Sequence, residues 1–199
     1  MRPRPVIAAA LLAVAAAACG PEGPAADDGP DAVPAYEGPS GEEVDAGIAE
    51  QDTLLARGAV GEDDYAAAVE RMEECLNTRG IDLDNNGWDP VDQLRMDLWF
   101  DGKGIPDDAL ADISDACFTA HLEKVEDRYS EDHEPRMADD LMAYTRACMS
   151  DAGVTTTGDE TNVADLAASG GPDHEETVTD CVVEGAGELY PDSTVVVGW

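Results

Sequence analysis

Apolar residues recur with the 3.6-residue period of amphipathic helices in five blocks of this chain, and with a period of two in only one short stretch. Ser40 followed by Glu43 forms a capping-box signature, and the segment from there to Gly58 places Val44, Ile48 and Leu55 on one stripe. The next block has the clearest pattern: Glu62, Asp63 and Asp64 suit the positive end of a helix dipole. Tyr65, Ala68, Val69, Met72, Cys75 and Leu76 then share a face, and Arg79 and Gly80 close the helix. Alternation at Leu94, Met96, Leu98 and Phe100, followed by Gly102 and Gly104, predicts a short strand or hairpin in which Trp99 is expected in the core. A third helix is predicted from Pro106 through Leu110, Ile113, Cys117, Phe118, Leu122 and Val125 to Tyr129. A fourth is predicted from near Pro135, with Met137, Leu141, Tyr144 and Cys148, to Gly153. Residues 155–172 read as loop with a short helical turn, and residues 175–184 as a fifth helix carrying Val178, Cys181 and Val182. The tail from Ser193 to Trp199 has strand propensity. The expected fold is mainly α, a small helical domain with a minor β element.

Charge narrows the function classes. The chain has 199 residues, 45 Asp plus Glu against 11 Lys plus Arg, and a net charge of -34. Binding to the nucleic-acid backbone needs clustered Lys and Arg, so a nucleic-acid partner is excluded. The acid excess by itself marks a solvated surface suited to salt-rich or cation-rich surroundings.

The N-terminal residues MRPRPVIAAALLAVAAAAC combine a basic start at Arg2 and Arg4 with an uncharged run from Val6 to Ala18, 13 residues long. That run is shorter than the roughly 20 residues a membrane-spanning helix needs, so it reads as the apolar region of a signal peptide. Ala17, Ala18, Cys19 and Gly20 resemble the lipobox of bacterial lipoproteins, although Ala16 stands where Leu is commoner. The resemblance implies cleavage after residue 18, acylation of Cys19, and residence on the extracytoplasmic face of the cell membrane, with the membrane as a partner through those acyl chains. An ordinary secreted protein with a free Cys19 is the plainer alternative. Cleavage would remove two arginines and no acid, leaving a net charge of -36. More than one acyl chain suffices for stable anchoring, whereas one alone is marginal. Residues 19–40 hold nine Gly or Pro and five acids and read as a disordered tether with a reach of about 25 Å, leaving residues 41–199 as the extracytoplasmic domain.

With Cys19 assigned to lipidation, Cys75, Cys117, Cys148 and Cys181 remain, and an oxidising compartment makes them pair in one of three ways. Pairing Cys75 with Cys117 and Cys148 with Cys181 joins consecutive long helices and is favoured; Cys75 with Cys148 is the rival. No C-x-x-C occurs, so a redox site is disfavoured. Val69, Cys75, Leu76, Gly80 and Ile81 align with Met142, Cys148, Met149, Gly153 and Val154. This is either a two-fold internal repeat or the common look of two glycine-capped amphipathic helices. The run from Leu55 to Val69, with Cys75, Gly80, Cys117, Val125 and Tyr129, resembles a pattern in uncharacterised secreted proteins and lipoproteins of high-GC actinobacteria. That resemblance covers about residues 50–155 and implies no activity.

Among chemical candidates, Asp82, Asp84, Asn86 and Gly87 match the first half of an EF-hand calcium loop. Gln93 replaces the bidentate Glu, however, and Asp89 and Pro90 break the rest of the pattern. An acidic Asn-Gly turn explains the same residues, with no cofactor. His121, His133 and His174 lack the spacing of a helical metal motif, and flanking acids mark the last two as surface residues. Trp88, Trp99 and Trp199 are candidate lining for a ligand groove. No nucleophile-elbow, phosphate-loop or dinucleotide glycine pattern is present, and no carboxylate pair stands out as acid and base. The expected function is a non-catalytic interaction or structural module held at the membrane. A calcium-binding surface protein and an enzyme of unrecognised type are the alternatives.

Overall fold

The computed structural model describes residues 36–193. The expected signal segment, the lipidation position Cys19, most of the tether and the tail ending in Trp199 lie outside the described residues. The elements run α1 (Gly41–Leu55), α2 (Glu62–Asn77), β1 (Asp82–Trp88), β2 (Met96–Asp101), α3 (Asp107–His121), α4 (Glu123–Asp132), α5 (Asp139–Asp151), α6 (Val163–Gly170), a 3-10 turn (Pro172–His174) and α7 (Glu175–Leu189). The domain is mainly α with a two-stranded antiparallel sheet. Among the described residues no helix is long and apolar enough to cross a membrane. The last residues assigned to the tether lie against the body: the Tyr36 hydroxyl donates to the Gly104 carbonyl at 2.6 Å, and a Cβ on Gly38 would touch Ile113.

Buried apolar side chains form two cores. The first takes α1 to α4 and the hairpin, around Tyr65, Met72, Leu76, Ile81, Ile113, Leu122 and Val125. The second takes α5 to α7, around Met137, Leu141, Met149, Leu166, Val178 and Val182. Val91, from the loop between the strands, is buried in the second core, while neighbouring Trp88 packs on the first. That loop is also tied to the start of α5, where the Arg136 and Ala138 amides donate to the carbonyls of Asp92 and Pro90. These bonds, with Met137 N–H donating to Thr161 O, hold residues 136–138 out of the helix. They explain why α5 begins at Asp139 and not near Pro135.

Each core has one disulfide, Cys75–Cys117 and Cys148–Cys181, closing segments of 42 and 33 residues. Loop closure of this size removes chain entropy from the unfolded state worth about 4 kcal/mol for each bond. The aligned segments share a helix ending. Gly80 and Gly153 adopt φ of +77 and +81°, and the following Ile81 and Val154 amides donate back to the Leu76 and Met149 carbonyls. Gly80 N–H and Gly153 N–H likewise reach Asn77 O and Ser150 O, which completes a Schellman motif at both sites. In each, the cysteine directly before the apolar cap residue is the one that bonds to a later helix.

Two expectations are corrected by contacts distant in sequence. The stripe of α1 is rotated: Gly47, Gln51 and Leu54 are buried, whereas Val44, Ile48 and Leu55 are only half-buried. A Cβ on Gly47 would stand 2.5 Å from the Ala120 carbonyl oxygen, so glycine lets α1 meet the end of α3. The single helix expected from Pro106 to Tyr129 is divided at Leu122 for the same reason. The Gln51 side-chain amide, 3 % exposed, donates from Nε2 to the Thr119 and Ala120 carbonyls and accepts the Lys124 amide on Oε1. It thus stands between the two backbone groups, Ala120 C=O and Lys124 N–H, that an unbroken helix would pair.

Helix α7 runs beyond the expected end near residue 184, because Gly185 is a contact position whose Cβ would lie 2.6 Å from the Tyr144 ring. Helix α6 falls in the stretch expected as loop with a short helical turn and runs for 8 residues, started by the Asn162 side chain accepting the Asp165 amide.

Replacing Gln51 by Leu keeps the volume and leaves these backbone groups without partners. The expected loss in urea unfolding is about 2 to 3 kcal/mol. A loss below about 0.5 kcal/mol, typical of a surface change, would contradict the bridging role.

Candidate functional site

The site is built by a register shift in the hairpin. Asp82 pairs with Asp101, Leu83 with Phe100, Asp84 with Trp99 and Asn85 with Leu98, but Trp88 pairs with Met96. One extra residue is accommodated at Asn86–Gly87, where Gly87 adopts φ +92°. The bulge restores Trp88 to the face that carries Leu83, Met96, Leu98 and Phe100, all packed on the first core. Trp99 belongs to the other face and is 48 % exposed, which corrects its expected place in the core.

Tyr65 ties this face to the helices. Its ring is fully buried, with centroids 5.0 Å from Trp88 and 5.2 Å from Tyr129, and Trp88 stacks on Tyr129 at 4.9 Å. Its hydroxyl accepts the Met96 amide at 3.3 Å and donates to Glu126 Oε2 at 2.5 Å. One phenol therefore connects α2, β2 and α4.

Beside it lies a cavity of about 450 Å³, within the size range of small-molecule sites. Met72, Met96, Leu98, Phe100 and Phe118 supply apolar walls, and Asp89, Asp97, Asp115, Glu126, Arg95 and Ser114 supply the polar lining. Ser114 is 6 % exposed, and its Oγ has no hydrogen-bond partner among the described residues. An unpaired buried hydroxyl costs about 1 to 3 kcal/mol, and such a group calls for an explanation.

Burial raises the Glu126 carboxyl above its ordinary value, against the opposing effects of the Tyr65 hydrogen bond and the Arg95 charge. Burial and the facing Glu126 charge push the Tyr65 phenol far up, so it stays protonated. Asp89 is also raised by burial, although its Oδ1 accepts the Val91 amide and its Oδ2 stands 3.8 Å from Arg95 Nε.

A further buried carboxylate, Glu160, shows the contrasting case of a fully supplied anion. Burial alone would raise it. The Ser169 hydroxyl, the Thr157 amide and hydroxyl, and the Gly158 amide outweigh that effect and hold it well below the carboxylate range, with Arg146 at 3.1 Å. Every oxygen of Glu160 is used to fix the loop before α6, so it is structural.

Of the residues singled out in the sequence, Asp84, Asn86 and Trp99 line one cavity together with Asp101 and Asp192, and none of these three lines the cavity beside Tyr65. Residues 82–88 are extended strand and not a calcium-binding loop: Asp82 faces Asp101 across the hairpin, Asp84 faces Trp99, and Asn86 donates to Asp97 and to the Asp192 carbonyl. Strand pairing to 96–101 removes the wrapped backbone on which an EF-hand depends. Among the described residues no group of three or more His, Cys, Asp or Glu is placed to hold a metal ion. His133 stacks on Tyr129 at 4.0 Å, His121 ends α3 beside a different cavity with its burial lowering the imidazole, and His174 lies in the 3-10 turn. Ser114 and Glu126 escaped sequence reading because polar residues on apolar helix faces resemble exposed ones; their positions one residue after Ile113 and Val125 were the available signal. No protein-family model, curated protein or solved structure matches the chain.

Because its folded-state pKa is raised, Glu126 binds its proton more tightly in the folded than in the unfolded chain. Its contribution to stability therefore falls as pH rises from the ordinary value of 4.5 through the folded value. Glu126→Gln is expected to make the change in stability from acid to neutral pH more favourable in urea unfolding, superposed on the falling contribution of Asp89 and the rising contributions of Glu160 and His121, whose pKa values are lowered. Parallel profiles for the two proteins would contradict the buried state of Glu126.

Proposed function

We propose that the chain is a lipid-anchored extracytoplasmic binding module: acyl chains on Cys19 hold it at the outer face of the cell membrane, and the cavity under the hairpin receives a ligand without turnover. The observation that carries the binding role is the cavity itself, where apolar walls meet a buried unpartnered hydroxyl and a half-buried carboxylate. The lipobox residues support the anchor, and two disulfides in a chain of this size accord with an oxidising compartment.

Binding fits these groups better than catalysis does. Among the described residues Ser114 Oγ has no base within hydrogen-bond reach to activate it as a nucleophile, and the Tyr65 hydroxyl is engaged as a donor to Glu126. The three histidines, the usual proton carriers near neutral pH, lie outside this cavity's lining.

Mass spectrometry of the protein purified from bacterial membranes tests the anchor. The expected result is an acylated N-terminal peptide beginning at Cys19, recovered only with detergent. An unmodified Cys19 in a soluble protein would overturn it.

A further inference from the structure

The cavity under the hairpin has a definite electrostatic sign. Asp89, Asp97, Asp115 and Glu126 line it against a single cation, Arg95, which already stands beside Asp89. A chain with net charge -34 adds a long-range attraction for cations and repels anions. The walls are of the opposite character: Met72, Leu98 and Phe118 offer apolar and aromatic surface. A hydrated inorganic ion gains little from such walls. An organic cation uses both, burying its body against them and setting its charge near the carboxylates and ring faces.

The buried Ser114 hydroxyl, without a partner among the described residues, specifies the head group further. It is on the cavity wall formed by α3, while Glu126 reaches the same cavity from α4. A primary ammonium has three N–H donors and no acceptor, which suits a hydroxyl oxygen together with carboxylate oxygens. A quaternary ammonium would leave both without a donor. The volume of about 450 Å³ limits the ligand to a small molecule. We infer that this cavity binds a small primary amine with an aryl or branched alkyl body, its ammonium held by Glu126 and Ser114 and its body by Met72, Leu98 and Phe118. The inference rests on the cavity being the ligand site of the proposed binding module.

The test is methyl NMR of the full chain in neutral lipid nanodiscs, with methionine methyls labelled. Met72 and Met96 line the cavity, and Met149, fully buried in the second core, serves as the internal control. Phenethylammonium, 2-phenylethanol and phenylacetate share one body and differ in charge. Phenethylammonium is expected to shift Met72 and Met96 saturably with Met149 unmoved, the alcohol to bind on the order of tenfold more weakly, and the acid not to bind. Glu126→Gln and Ser114→Ala are each expected to weaken the amine on the order of tenfold while leaving the spectrum of the second core intact. Equal binding of the alcohol, or saturable shifts with calcium chloride alone, would overturn the amine assignment and leave the cavity as a ligand site. No shift with any probe would overturn both.

Discussion

The hydroxyl of Tyr65 is the one group on which the first core and its cavity depend. Helix α2 supplies it, the hairpin reaches it through the Met96 amide, and α4 accepts its hydrogen bond on Glu126. With the ring fully buried between Trp88 and Tyr129, the phenol is held where it can only connect these elements. Its consequence for the site is indirect: it fixes one oxygen of Glu126 and the backbone of β2, and so sets the distance between the acidic and apolar sides of the cavity. The low polarity that makes the hydrogen bond strong also makes the Glu126 charge expensive.

The second core performs a different task with similar parts. Both cores have a helix closed by a Schellman glycine and a cysteine that bonds to a later helix, but what lies between the bonded helices differs. In the first it is a hairpin, and in the second it is α6 with a 3-10 turn. The common ending shows how little is needed to repeat a stapled helix end, and the differing insert separates a core that leaves Ser114 Oγ without a partner among the described residues from one whose buried carboxylate, Glu160, is wholly occupied. Charge explains the need for staples. Carboxylate repulsion opposes compaction of so acidic a chain, and the two disulfides act on the unfolded state, where that repulsion is most easily relieved.

Local patterns were legible in the sequence, and long-range insertions were not. The face of α2 from Tyr65 to Leu76 and the Ser40–Glu43 capping box follow from neighbouring residues, and the structure has both. The division at Leu122 comes from Gln51, about seventy residues earlier, and nothing near Leu122 announces it. The inward turn of Trp88 depends on one bulged residue before it, inside the stretch that resembles a calcium loop, whereas the outward turn of Trp99 follows from its alternation with Leu98 and Phe100. For the candidate site, Met96, Leu98 and Phe100 were recognisable by alternation. Ser114 and Glu126 were hidden because a polar residue's burial is decided by what packs over it, here a hairpin separated from them in sequence.

The direct measurement is a carboxyl carbon-13 NMR titration of Glu126 in the native chain and in Tyr65→Phe. Burial opposed by the Tyr65 hydrogen bond requires Glu126 to titrate above the ordinary glutamate value, and to move higher still when that bond is removed. A Glu126 that titrates as an exposed glutamate in both proteins would contradict a core organised around the Tyr65 hydroxyl.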